Sequence, residues 1–169
     1  MENKKFLTVM AVLDEETQQA LGVIQEAIIE KFGEGTQTMD IPFHITLGSY
    51  PVDELERIKD RISVVAQKYQ PFHLELVKYN SFGNKVFFME PRVTKELMEL
   101  RKYFEYDEAH GYNWVPHVTL WMGDEDKVSS IKEKYCLLDK VISAHVVGIE
   151  LGKFFPAEKI TRIMFKEQE

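Results

Sequence analysis

A chain of 169 residues with 44% hydrophobic and 29% charged side chains is the size of one domain and long enough to bury a proper core. Its formal net charge of −7 excludes a protein that tracks many phosphates on a basic face, because that kind of affinity rests on Lys and Arg displacing counterions. No run approaches the ~20 continuous apolar residues of a membrane span, and the lone Cys136 fits a reducing compartment. A cytoplasmic, monomeric protein is expected, with neither a membrane nor long nucleic acid as partner.

The N-terminal FLTVMAVL reads as a strand and not as a leader, since its apolar run is short, broken by Thr8 and followed by acids. Asp14 can cap a helix whose Leu21, Ile24, Ile28 and Phe32 recur at three- and four-residue steps until Gly33 ends it. FHITLGSY is a second strand. Asp53 and Glu56 have capping-box spacing, ahead of a helix with Leu55, Ile58, Ile62, Val65 and Tyr69 on one face. FHLELVKY and KVFFME are strands around the turn-like NSFGN. Thr94 opens a helix carrying Leu97, Leu100 and Phe104; then come a loop, the strand HVTLWM, and a short helix with Val128, Ile131 and Tyr135. The strands VISAHVVGIEL and ITRIMFK close the chain. Mixed clusters such as ERIKDR and KEKY are solvated helix faces.

Two of these strands say nearly the same thing. IPFHITLGSY and WVPHVTLWMG both carry a proline shortly before His-x-Thr-Leu. His117 follows His44 by 73 residues, His145 follows His73 by 72, and Phe154 follows Phe82 by 72, so an internal duplication with two similar lobes is the economical reading. Side chains alternate along a strand, so His44 and Thr46 share one face while Ile45 and Leu47 take the other; His117 and Thr119 repeat this against Val118 and Leu120. If a pseudo-twofold axis relates the lobes, two imidazoles meet in one cleft, each with a hydroxyl alongside.

Facing imidazoles suit phosphodiester chemistry. Near a pKa of about 6.5, one neutral ring accepts a proton from the attacking oxygen and one charged ring donates a proton to the leaving oxygen. The threonine hydroxyls donate to the non-bridging oxygens, where charge develops. No metal is required by this arrangement. A zinc site joining His110 to His117 is a weaker alternative, for no carboxylate or thiol falls at ligand spacing. Trp121 should share the face of His117 and Thr119 and wall the cleft, where its ring could stack on a base or ribose, with core packing the equal alternative. Tyr112 and Trp114 precede the second motif in a polar loop, and Tyr50 and Phe154 sit near lobe ends, where substrate loops are expected. His73 and His145 read as packing positions, and Lys153 as a solvated lysine.

Paired His-x-Thr motifs in a duplicated chain of this size, flanked by YNSFGNKVFFMEP and YNWVPHVTL, resemble the 2H phosphoesterase superfamily, which includes the 2'-5' RNA ligases and cyclic nucleotide phosphodiesterases. The resemblance implies a single α+β domain over residues 1–169, bilobal, with two antiparallel sheets lining a central cleft and helices on the outer faces. It implies a site with no metal and no cofactor, His44 and His117 as catalytic residues, and Thr46 and Thr119 as substrate-binding residues. It also implies 2',3'-cyclic or 2'-5' phosphodiesters of small nucleotides or RNA ends as substrates. WMGDED stands where RNA-acting relatives often carry a basic residue after the second motif, which speaks against long RNA. The alternative is a catalytically weak module that binds a nucleotide or phosphate and regulates something else.

Overall fold

The structure is a computed structural model that describes residues 5–37, 39, 41–105, 114–138, 140–154 and 156–166. Its elements are β1 (Phe6–Leu13), α1 (Glu15–Phe32), β2 (His44–Pro51), α2 (Leu55–Ala66), β3 (Phe72–Phe82), β4 (Val86–Pro91), α3 (Lys95–Lys102), β5 (Val118–Met122), α4 (Glu125–Tyr135), β6 (Ile142–Phe154) and β7 (Glu158–Met164).

Local chemistry sets the helix ends. Asp14 accepts a hydrogen bond from the Thr17 backbone N–H at 3.2 Å and so satisfies one of the orphan donors of α1. Gly33, at φ 96°, ends the same helix and donates its N–H to the Ile29 carbonyl. Thr94 caps α3 by accepting from the Leu97 N–H. The start of α2 differs from expectation: Val52–Glu54 wind as a 3-10 turn, so Asp53 lies inside that turn, and Glu54 at the cap position makes no side-chain capping bond.

All strand pairings are antiparallel, in the order β2-β1-β6-β3-β4-β5, with β7 also on β6. The expected α+β class with antiparallel strands holds. The two expected sheets are instead one hydrogen-bonded sheet, and the length of β6 explains why. Its first residues, Ile142–Val146, pair with β3, while Gly148–Lys153 pair with β7 and the opposite edge runs along β1.

β1 lies in the middle of its half of the sheet and is buried on both faces after Phe6. Leu7, Val9, Ala11 and Leu13 join the main core with Leu21, Ile24 and Ile28 of α1 and Ile58, Ile62 and Val65 of α2. Each such Leu, Ile or Val side chain, fully withdrawn from water, contributes roughly 1.5–3 kcal/mol. The opposite face of β1, bearing Phe6, Thr8, Met10 and Val12, looks into the cavities beside the two motifs. Although β2 and β5 end the strand path at opposite extremes, they pack against each other, so the sheet curls and brings its termini together.

Candidate active site

His44 opens β2, and His117 immediately precedes β5. Both are half-buried. The His44 Nδ1 lies 2.9 Å from the Pro42 carbonyl oxygen, and the His117 Nδ1 lies 2.8 Å from the Val115 carbonyl oxygen. A carbonyl can only accept, so each Nδ1 carries the proton and donates it. Each ring therefore presents an unprotonated Nε2 in its neutral state, held in orientation by its own backbone two residues back.

The two motif strands share a second device. On β2 the register with β1 slips so that Val9 faces Gly48 while Met10 faces Thr46, which leaves Leu47 as an extra residue. On β5 the register with β4 slips so that Phe87 faces Trp121 while Phe88 faces Thr119, which leaves Leu120 as the extra residue. Each bulge falls on the leucine of His-x-Thr-Leu and reverses the alternation beyond it. Gly48 consequently turns toward the segment that follows α3, where an added Cβ would stand 2.1 Å from the Phe104 carbonyl oxygen.

The bulge corrects the expectation for Trp121. Its ring does not share the face of His117 and Thr119; it is 1% exposed and packs in the core. The indole N–H donates to the Gly33 carbonyl at 3.0 Å, and Gly35 and Gly123 leave space for the ring. Met122 takes the cleft position instead. Tyr112, like His110, lies outside the described residues.

His44, Thr46 and Thr119 line one cavity of about 390 Å³, together with Thr8, Met122 and the rings of Phe6 and Phe154. His117 is not part of that cavity's wall. It lies edge-on to Phe82, ring centroids 4.7 Å apart, with Phe88 at 5.0 Å. It is nonetheless close enough to His44 for positive charge on one ring to oppose charge on the other.

Electrostatics follow burial. Desolvation pushes His44 below its ordinary 6.5, the hydrogen bond to Pro42 raises it, His117 lowers it, and Glu150 raises it. Desolvation likewise lowers His117, opposed by the Val115 carbonyl and by Glu90. Both rings are therefore held toward the neutral, proton-accepting form at pH 7 until an anion arrives. Glu150 is itself buried and paired with Arg162, Nε to Oε1 2.8 Å.

Sequence reasoning did not single out the supports of this site. Gln18 Nε2 donates to the Phe43 carbonyl at 2.7 Å, and its Oε1 accepts from the Phe43 N–H at 2.9 Å, which fixes the residue before His44. Gln25 donates to the bulged Leu120 carbonyl at 2.8 Å, and Gln37 accepts from the Met122 N–H at 3.1 Å. Gln18 and Gln25 stand two helical turns apart on one face of α1, a polar stripe beside the apolar one, and that spacing was the available signal.

Other singled-out residues fall elsewhere. Tyr50 is buried in the core. His73 and His145 are not packed inside: His73 is exposed and bonds to the Ser143 hydroxyl at 2.8 Å, while His145 Nδ1 lies 3.6 Å from Asp14. They face each other directly across the β3–β6 pairing, which turns both rings outward. Among the described residues, no three His, Cys, Asp or Glu side chains gather as a metal site. Also among them, no helix is long and apolar enough to cross a membrane.

Residues 40–153 match the family profile of the 2'-5' RNA ligase superfamily. The chain belongs to that superfamily, the 2H phosphoesterases of the resemblance drawn from the motifs. A Bacillus anthracis protein with the provisional name of phosphoesterase is 31% identical over 94 residues, covering 51% of this chain and 55% of that relative. The match thus spans about half the length of the curated relative. TT0787 of Thermus thermophilus superposes with a TM-score of 0.68 at 16% identity over 97% of this chain and 100% of that one. E. coli LigT in its complex with 3'-AMP gives 0.61 at 12% identity over 98% and 100%. At these identities the likeness establishes the fold.

Proposed function

We propose that the protein is a metal-independent phosphoesterase acting on 2',3'-cyclic or 2'-5' phosphodiester bonds of nucleotides or RNA ends, with His44 and His117 as the acid–base pair and Thr46 and Thr119 as phosphoryl-oxygen donors. The observation that carries this reading is the matched pair of imidazoles, each with Nδ1 tied to the carbonyl two residues back. This bond leaves Nε2 of each neutral ring as an oriented acceptor, which is what a general base requires.

Attack on a 2',3'-cyclic phosphate then proceeds as follows. Nε2 of one neutral histidine takes the proton of the incoming water as its oxygen bonds to phosphorus. The bond from phosphorus to one ring oxygen breaks, and that oxygen takes a proton from the other, charged histidine. Water is consumed, a phosphomonoester and a free hydroxyl result, and proton exchange with solvent resets the pair. Thr46 and Thr119 hydroxyls donate to the non-bridging oxygens as charge builds there. The 390 Å³ cavity suits a nucleotide-sized ligand, and the complex of LigT with 3'-AMP fits the same substrate size.

The test is a screen of purified protein against 2',3'-cyclic nucleotides and 2'-5' dinucleotides with chelator present. Turnover of either class supports the reading, and inactivity on both contradicts it.

A further inference from the structure

The cluster ERIKDR sets Arg57 and Arg61 one helical turn apart on α2, and they do more than solvate that helix. Arg61 is half-buried, and its Nη1 donates to the Tyr103 carbonyl at 3.1 Å, at the C-terminal end of α3. Arg101, in the last turn of α3, lays its guanidinium 5.3 Å from the centroid of the Trp114 ring. Its Nε and Nη1 are shut off from water and meet no acceptor. Tyr50 lies against the same place: beyond the bulge at Leu47 it shares the side of Gly48, and it is 3% exposed. Burial pushes the Tyr50 phenol up while Arg61, Arg57 and Arg101 pull it down, so three cations converge on one buried hydroxyl. Among the described residues, Glu54 pairs with Arg57, the charge of exposed Glu105 reaches Arg101, and Arg61 forms no ion pair. A guanidinium stays charged when enclosed, and its N–H groups cost free energy while no acceptor answers them.

We propose that the junction of α2, α3 and β2 is a second anion site, which takes a phosphate group between Arg61 and Arg101 beside the Tyr50 hydroxyl. None of these residues lines the cavities at His44, so the site is separate from the histidine cleft and does not depend on the phosphodiester reading. Two guanidinium forks and a phenol, carried by three different elements, suit acceptor oxygens disposed around a centre, as in tetrahedral phosphate, better than the flat pair of a carboxylate. Arg57 stands exposed beside them and adds attraction for an approaching anion, in a chain whose net charge of −7 otherwise repels one.

The experiment titrates the double variant His44→Ala, His117→Ala, whose histidine cleft has lost both imidazoles, with inorganic phosphate and separately with 5'-AMP, by calorimetry. Added to that parent, Arg101→Met and Arg61→Met should each raise Kd by roughly tenfold to a hundredfold, the loss of a charge-assisted hydrogen bond. Arg101→Lys keeps the charge without the fork and should fall between. Circular dichroism confirms that each variant is folded, and phosphate should raise the Tm of the parent but not that of Arg101→Met. Binding of either ligand with this arginine dependence upholds the site, and the tighter of the two identifies its source as free anion or ester end group. Binding of neither ligand, or binding that either methionine variant leaves unchanged, overturns it.

Discussion

The indole N–H of Trp114 donates to the backbone carbonyl of Thr46 at 3.1 Å, tying the segment that leads into β5 to the middle of β2. The guanidinium of Arg101 sits 5.3 Å from the centroid of the same ring. A residue three positions ahead of His117 thus anchors the strand that carries His44. Trp114→Phe keeps the ring and removes the donor, leaving one hydrogen bond unmade at about 0.5–1.5 kcal/mol. Thermal unfolding should register a loss of that order, and kcat/KM should fall by roughly two- to tenfold as the strands lose their common register. Unchanged kinetics would show that the tie does not position the pair.

pH dependence follows from the direction of both histidine shifts. Each folded-state pKa lies below 6.5, burial being the largest cause. Between that pKa and 6.5 the unfolded chain binds more protons, so stability rises with pH there. The contribution is complete above about pH 6.5 and is lost as pH falls through the depressed values. On the proposed acid–base mechanism turnover requires one ring charged and one neutral, and because burial lowers both rings that singly protonated form is displaced to the acid side of 6.5 in the free protein. The kcat/KM profile should therefore be bell-shaped with its maximum on the acid side of 6.5. A maximum above pH 7.5 would contradict the burial-driven shift.

Trp121 offers a contrast between core and cleft. With its ring fully enclosed and its N–H bonded to Gly33, Trp121→Ala should cost about 3–5 kcal/mol of stability, the price of a large core cavity. Denaturant titration checks this. A variant that stayed equally stable and changed only in substrate preference would restore the expectation that the ring walls the site.

Chelation separates proton transfer by imidazoles from Lewis-acid catalysis. Activity should persist in EDTA when the acid, base and oxyanion donors are all side chains. Loss on chelation with recovery on adding zinc or magnesium would assign the chemistry to a metal.

Much of this was legible in the sequence, and the failures share a cause. Helical faces were readable because Leu21, Ile24 and Ile28, or Ile58, Ile62 and Val65, recur at the helical period and are buried for that reason. Thr46 and Thr119 were placed on one cavity by strand alternation together with the repeat. Trp121 was misplaced because strict alternation carries no sign of a bulge, and the bulge at Leu120 depends on pairing with β4, a long-range fact. His73 and His145 were misassigned for a related reason: they fall at corresponding places in the repeat among apolar neighbours, yet that side of the β3–β6 pairing is open to solvent. The glutamines escaped notice because their side chains bond to backbone far along the chain, as Gln25 does to Leu120.

The central claim is that His44 and His117 act as an acid–base pair while Thr46 and Thr119 bind the phosphoryl oxygens, and the most direct test is turnover of a 2',3'-cyclic nucleotide across about pH 5 to 9. His44→Ala, His117→Ala, Thr46→Val and Thr119→Val are compared with wild type, after circular dichroism confirms that each variant is folded. Each histidine variant should lose roughly a hundredfold to ten-thousandfold in rate and one limb of the pH profile. Each threonine variant should lose about 1.5–3 kcal/mol of transition-state binding and retain both limbs. Near-wild-type turnover in either folded histidine variant would contradict the account and leave the repeated His-x-Thr as a binding or packing feature.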